Sequence, residues 1–304
     1  MKIGPDDLVL DVGSGHNPDP RSDILCDRYI EDDTERAGAI KIDRPLVVAD
    51  AHNLPFKDKS FDYVIASHII EHMDDPALFC SELARVSRRG FIASPTELAE
   101  HMFHWPFHKW YVNKIGNKLI LHPKENVTSP FGELFDYLYE YNPWFARFHR
   151  SLPDMFWMEY EWEGNIQIEI RDRSPLNLED ERALKRMVIP RERIVTSLKR
   201  SGVTVADNYL PRFARNMLTR LRRQKRTQVR IINLEGILAC PACGGDIKRL
   251  RDAMKCQSCG RVYPIENGIP MMLLDQDMRH RPPSQPTQPT SPDRPVAATG
   301  GTTA

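Results

Sequence analysis

Long hydrophobic runs are missing from this 304-residue chain. No stretch approaches the roughly 18 consecutive apolar residues that a membrane-spanning helix needs. No apolar segment follows a basic start, so no secretory leader is expected. Net charge is missing as well: 42 Lys and Arg residues balance 42 Asp and Glu residues. A neutral chain has no global field with which to hold a nucleic acid or an anionic membrane. Cysteine is scarce, at six residues, and Cys26 and Cys80 lie far from the other four. That pattern excludes a disulfide scaffold and fits reduced thiols in a soluble, cytoplasmic chain. The Asn126-Val-Thr128 sequon then carries no meaning. The length allows one sizeable core plus a satellite domain.

The four remaining cysteines are the most telling residues. Cys240-Pro-Ala-Cys243 and Cys256-Gln-Ser-Cys259 are two Cys-x-x-Cys knuckles, and a glycine follows each, Gly244 and Gly260. Four thiolates at this spacing can close a tetrahedral cage around one structural Zn²⁺, with no open position for catalysis. The surrounding segment of about forty residues is too small to hold a core alone, so the metal supplies folding energy.

Residues 8–94 read as alternating strands and helices. Leu8–Val12 is a continuous apolar run with one acid, as a buried parallel strand should be. Short strands are expected at 24–26, 46–49, 63–66 and 91–93. Between the last two lies a well-punctuated helix. Asp75 is its N-cap, Pro76 its first residue, Arg88 and Arg89 its basic end, and Gly90 its C-terminal stop. Strands alternating with helices imply a parallel sheet, whose ligands bind beyond the carboxyl ends of the strands. Gly13 and Gly15 follow the first strand and let the backbone approach a ligand. Asp27 is placed like the acid that accepts ribose hydroxyls, and Asp50 could accept from an adenine amino group.

These motifs, Asp11-Val-Gly-Ser-Gly15, Ala49-Asp50-Ala51-His-Asn-Leu54-Pro55-Phe56, Ser60-Phe61-Asp62-Tyr-Val64 and His68-Ile-Ile-Glu71-His72, resemble the class I S-adenosylmethionine-dependent methyltransferases, and among them the quinone-biosynthesis-like subfamily. The resemblance covers about residues 5–95. It implies an α/β fold, a Rossmann-like seven-stranded methyltransferase sheet with S-adenosyl-L-methionine as cofactor. It also implies that Asp11, Gly13 and Gly15 contact the methionine part and that Asp27 holds the ribose. Asp50 and the Ala51 backbone would hold the adenine. Ser67 and His68 would border the sulfonium and the acceptor. The family's third loop glycine is Asn17 here, before Pro18, and the helix expected after the first strand is poorly signalled. His68-x-x-Glu71-His72 also matches a zinc-hydrolase pattern if it lies on a helix. Its position after a methyltransferase-like fourth strand argues against that reading.

Of 26 aromatic residues, 17 fall between His101 and Trp162. This aromatic-rich insertion, residues 99–162, is either a substrate-side lid or a local hydrophobic subcore, and both can hold. Asn113 to Leu119 reads as a hairpin. His104 and His108 join His68 as catalytic candidates, each a possible general base. Glu159–Ile170 alternates and is expected to close the sheet as an antiparallel hairpin, and 178–200 reads as helical. Arg212–Arg230 carries eight basic residues and no acid. It is either a solvated linker or a contact for RNA or anionic lipid.

The segment around the knuckles continues through Tyr263-Pro-Ile and Asn267-Gly-Ile-Pro270. It resembles the small zinc-ribbon proteins that serve as activator subunits of RNA- and protein-modifying methyltransferases. That resemblance implies a ribbon packed on the methyltransferase domain in cis. The expected domains are 1–175 methyltransferase, 176–232 helical and basic connector, 233–277 zinc ribbon and 278–304 disordered tail, the last too poor in apolar residues to order. The expected function is methyl transfer to a small molecule or a glycan- or lipid-linked acceptor. The alternatives are an RNA or protein methyltransferase docking through the ribbon and 212–230, or a non-catalytic binding protein.

Overall fold

The structure is a computed structural model and describes residues 1–33, 38–124, 131–175, 185 and 232–274. The expected helix over 178–200 (apart from Lys185), the basic stretch 212–230, the 126–128 sequon and the tail after 278 lie outside the described residues.

Five parallel strands form where the apolar runs predict them: β1 Val9–Val12, β2 Ile24–Asp27, β3 Leu46–Val48, β4 Tyr63–Ser67 and β5 Arg89–Pro95. After the insertion the chain returns as β8, Trp157–Glu163, antiparallel to β5. The order is β3-β2-β1-β4-β5-β8, so the topology reverses between β1 and β4 and opens a crevice at their carboxyl ends. Among the described residues the sheet has six strands, against the seven expected. The 159–170 segment does not close it as a hairpin: its second arm, β9 Ile168–Ile170, pairs in parallel with β7 in a separate sheet. That three-stranded sheet also holds β6 Trp110–Ile115 and β7 Lys118–Pro123, joined at Gly116, which takes the left-handed conformation its turn requires.

Helix α1, Pro76–Val86, starts as its sequence dictates: the Asp75 carboxylate accepts from the Ala77 and Leu78 amides. It stops earlier than expected, with Ser87 as the last cap. Gly90 is not its terminator but a residue of β5. A side chain there would lie 2.5 Å from the Val64 carbonyl and 2.8 Å from the Trp162 ring. No helix forms between β1 and β2, which are joined by a loop.

The aromatic insertion builds α2 Glu97–Phe103, α3 Gly132–Tyr141, α4 Pro143–Ser151 and α5 Pro153–Phe156. It has a subcore of its own, with Ala99, Phe103 and Phe156 buried and Trp105, Phe135 and Trp157 packed around them. Other aromatics of α3 and α4 face outward, Trp144 at 76% exposure.

The cysteine-bearing module comprises α6 Leu234–Ile237 and four short antiparallel strands, β10 Ile247–Arg249, β11 Ala253–Cys256, β12 Val262–Glu266 and β13 Ile269–Pro270. It docks on the edge of the main sheet. Met271 bridges Val48 in parallel and Leu238 bridges Phe56 in antiparallel. Ala239 N donates to Pro55 O at 3.0 Å, and Lys57 N to Ile237 O at 2.9 Å. Leu238, Met254, Tyr263 and Met272 are buried in the same cluster as Leu10, Phe56 and Phe79. The two units therefore share one core, and the exposed edge that β3 would present is covered. A cavity of about 260 Å³ opens at the seam, bordered by Asn53, Arg85 and Cys240. Among the described residues, no helix is long and apolar enough to cross a membrane.

Candidate functional site

The acids of β1, β2 and β3 sit at one end of the sheet because Asp11 is the penultimate residue of β1, Asp27 the last of β2, and Asp50 lies two residues beyond β3. Asp11 is buried, and its Oδ2 accepts the Asp19 amide at 2.8 Å. Burial dominates and pushes its pKa up to about 7. Asp27 Oδ2 accepts the Gly15 amide at 2.9 Å, which ties the end of β2 to the glycine loop. Asp50 Oδ1 accepts from the His52 amide at 2.8 Å and lies 2.8 Å from the His52 ring, and Oδ2 pairs with Arg28. Burial would raise the Asp50 pKa, but the His52 hydrogen bonds and the Arg28 charge outweigh it and hold it below the usual carboxylate value. Ala51 is buried just beyond Asp50, and Ser67 is half-buried at the end of β4. Arg28 and His52 were missed from the sequence, although Arg28 directly follows an acid already singled out.

Gly13 and Gly15 have φ of +68° and +50°. At Gly13 the requirement is also spatial: a Cβ would lie 2.7 Å from Ile69 Cδ1. The loop after β1 thus presses on the segment after β4. The rest of that loop, through Asn17 and Pro18, is held without a helix, by Arg44 donating to the Asp19 and Ser22 carbonyls at 2.9 and 2.6 Å.

His68 follows β4 with φ +57°, a strained value for a residue other than glycine. Its amide donates to Ala93 O at 2.8 Å and its ring meets Trp157 edge-on at 5.0 Å. The side chain remains about half exposed at the crevice. The hydrolase-type pattern does not form: Ile70–His72 is a single 3₁₀ turn, so His68 and His72 share no α-helical face. Glu71 is fully buried. Burial opposes its charge, yet the nearby His68, His108 and His72 hold its pKa down to about 2.

The other two histidine candidates part company. His104 caps α2 in the left-handed conformation. Gly132 packs against this end of α2, where a Cβ would lie 2.3 Å from the Phe103 carbonyl oxygen. His108 is buried, with Nδ1 2.6 Å from Glu100 Oε2, and Glu100 also holds Lys124. A second buried carboxylate, Glu97, accepts Asn113 Nδ2 at 2.5 Å and lies 3.1 Å from His122 Nε2. Burial works against the Glu97 charge, but its His101, Ser174, Asn113 and His122 partners bring the pKa to about 2. Neither acid was singled out from the sequence. The available signal was their i, i+3 spacing on α2, which puts both on one face.

The four knuckle sulfurs lie within 4.8 Å of one another. Cys240 Sγ is 3.7 Å from Cys259 Sγ, and Cys243 Sγ is 3.5 Å from Cys256 Sγ. Tetrahedral Zn–S bonds of about 2.3 Å set sulfurs about 3.8 Å apart, so the group could hold such an ion. The Ser258 and Cys259 amides point at Cys256 Sγ, each at 3.4 Å.

Comparison with known proteins agrees with both halves. Residues 25–93 match the methyltransferase domain family, and residues 236–268 match the Trm112p-like protein family. A UPF0434 protein of Hahella chejuensis is 48% identical over 42 residues, 13% of this chain and 70% of that protein. One from Methylobacillus flagellatus is 43% identical over the same lengths. Among solved structures, the chain is similar to a complex containing the Haloferax volcanii Trm112 methyltransferase activator (19% identity, TM-score 0.28, covering 38% of this chain and 66% of that one). It is similar also to the YcgJ protein of Bacillus subtilis (22% identity, TM-score 0.28, covering 35% and 56%). Through its cysteine-bearing segment the chain belongs to the Trm112p-like family, and the domain on which that segment packs is an α/β S-adenosylmethionine-dependent methyltransferase domain.

Proposed function

We propose that the chain transfers a methyl group from S-adenosylmethionine to a small molecule or a glycan- or lipid-linked acceptor, with the cysteine module holding Zn²⁺ and acting in cis. The observation that carries this reading is the placement of Asp11, Asp27 and Asp50, with two left-handed glycines, at or just beyond the carboxyl ends of β1, β2 and β3. Gly13 and Gly15 admit the methionine portion, Asp11 faces its ammonium, Asp27 the ribose and Asp50 the adenine. The bound donor supplies an already electrophilic methyl group. The protein's part is then orientation and exclusion of water. Ser67 and His68 border the acceptor, and His68 is the general base where the acceptor must lose a proton. The outward aromatics of α3 and α4 supply stacking surface for a ring or a sugar. The module covers the β3 edge, so the adenine end of the site rests on a strand that needs it.

Calorimetry with S-adenosylhomocysteine tests the donor site: Asp27→Ala and Asp50→Ala should each weaken binding by tenfold or more. Unchanged affinity in both would overturn the reading. A macromolecular acceptor is the second reading, favoured by the Trm112p-like segment. Tritiated donor with a cell extract, partitioned by nuclease, protease and organic solvent, separates the two.

A further inference from the structure

Glu71 is 1% exposed, and among the described residues neither carboxylate oxygen receives a hydrogen bond. The His68 Nδ1 stands off at 3.5 Å from Oε1. A buried carboxylate without a hydrogen-bond donor is costly and favours a cation beside it. Two imidazoles face it. One oxygen of Glu71 and one ring nitrogen each of His72 and His108 lie within 4.8 Å of one another.

The His108 ring is oriented as a ligand would be. Its Nδ1 lies 2.6 Å from Glu100 Oε2, and in the tautomer that donates to this carboxylate Nε2 is the nitrogen left to coordinate. A carboxylate behind a histidine is the usual outer support of a metal-bound imidazole. Glu100 is itself buried and is fixed by Lys124. Phe107 stacks on His72 at 5.6 Å and 6°, and His72 meets His108 edge-on at 4.7 Å. Aromatic packing thus sets both imidazoles before any ion arrives. The Lys109 amide donates to the Glu71 carbonyl at 2.8 Å and ties the His108 segment to the turn that carries Glu71.

We propose that Glu71, His72 and His108 form a second metal site, separate from the four cysteines, for Zn²⁺ or a similar first-row divalent ion. One carboxylate oxygen and two imidazole nitrogens suit such ions and leave coordination positions open. The turn bearing Glu71 begins beside Ile69, which packs against Gly13 of the donor loop. The ion therefore lies at the same end of the sheet as the methyl-donor residues. Its role, which rests on the methyl-transfer reading, is to bind an oxygen of the acceptor.

The test is cobalt substitution of the full reduced chain, read by metal content and absorption. The wild-type chain should bind two Co²⁺ ions: one with intense sulfur-to-metal charge-transfer bands, one with weak ligand-field bands alone. Glu71→Gln and His108→Gln should each lose the second ion and keep the sulfur bands. A wild-type chain that saturates at one ion, or a second ion that survives both substitutions, overturns the proposal. Wild-type stoichiometry decides the matter even if a variant fails to fold. Calorimetry with S-adenosylhomocysteine on the same samples keeps the two readings apart: two ions without ligand binding would sink the donor reading and spare the metal site.

Discussion

Val48 and Met271 are bridged in parallel, and the Met272 amide donates to the Val48 carbonyl at 2.7 Å. The outer strand of the methyltransferase sheet is thus completed by the chain's own Trm112p-like segment. Two consequences follow for stability.

Leu238 and Met272 are fully buried at the seam and belong to the common core. Replacing either by alanine should cost about 2–5 kcal/mol. Because the core is shared, urea should unfold both units in one transition, shifted to lower denaturant in each variant. Two separated transitions in the wild-type chain would show that the units are merely tethered.

Metal removal should propagate along the same route. On the zinc reading proposed above, the cysteine module has too few apolar residues of its own to persist without a bound ion. Chelation, or Cys240→Ser, should release the module, uncover β3 and promote self-association through that edge. The expected outcome is a lower Tm, growth of large species by light scattering and weaker S-adenosylhomocysteine binding. Retention of full affinity by the metal-free chain would mean that β3 needs no cover.

What could be read in the sequence was local. The five apolar runs became β1 to β5, and Asp75 capped α1, because strand burial and capping are decided within a few residues. Gly90 was misread because its constraint comes from Val64 of β4 and Trp162 of β8, neighbours that only the sheet brings beside it. The 159–170 segment was misassigned for a similar reason: alternation marks a strand but does not name its partner, and β9 chose β7. In the candidate site, the grouping of Asp11, Asp27 and Asp50 at one end of the sheet was legible from their positions at or just past strand ends. Arg28, Glu97 and Glu100 were not, since their meaning comes from partners brought in by the fold. Glu71 was visible as part of a motif, but the fold sets it beside His72 of that motif and His108 from beyond α2, without the helical His68–His72 face the motif suggests.

Asp11 makes stability and ligand binding respond to pH with opposite sign. In the folded chain burial keeps its proton up to about pH 7, whereas an unfolded aspartate releases it near about 3.9. Between these values the folded state binds the extra proton, so stability falls as pH rises through that window. Asp11→Asn should be as stable as wild type at pH 4 and more stable at pH 8, by on the order of a few kcal/mol. Denaturant titrations at several pH values would measure this. A bound ammonium group favours the ionised carboxylate, so wild-type S-adenosylhomocysteine affinity should rise through pH 7, while the variant's stays low and flat. Parallel pH profiles for the two proteins would remove Asp11 from the donor site.

Gly13 and Gly116 offer a controlled comparison, because both need a left-handed backbone, with φ of +68° and +61°. They differ in what a side chain would meet. Beside Gly116 there is open space within 4 Å, whereas a Cβ on Gly13 would lie 2.7 Å from Ile69 Cδ1. Gly116→Ala should therefore cost only the backbone strain, about 1 kcal/mol, and leave S-adenosylhomocysteine affinity unchanged. Gly13→Ala should pay the same strain and also push the β1 loop and the Ile69 segment apart, weakening binding by at least tenfold. Adding Ile69→Ala to Gly13→Ala should relieve the collision but not the strained φ, so that part of the affinity returns. Full loss in the double variant would mean that the ligand itself, rather than Ile69, needs the space above Gly13.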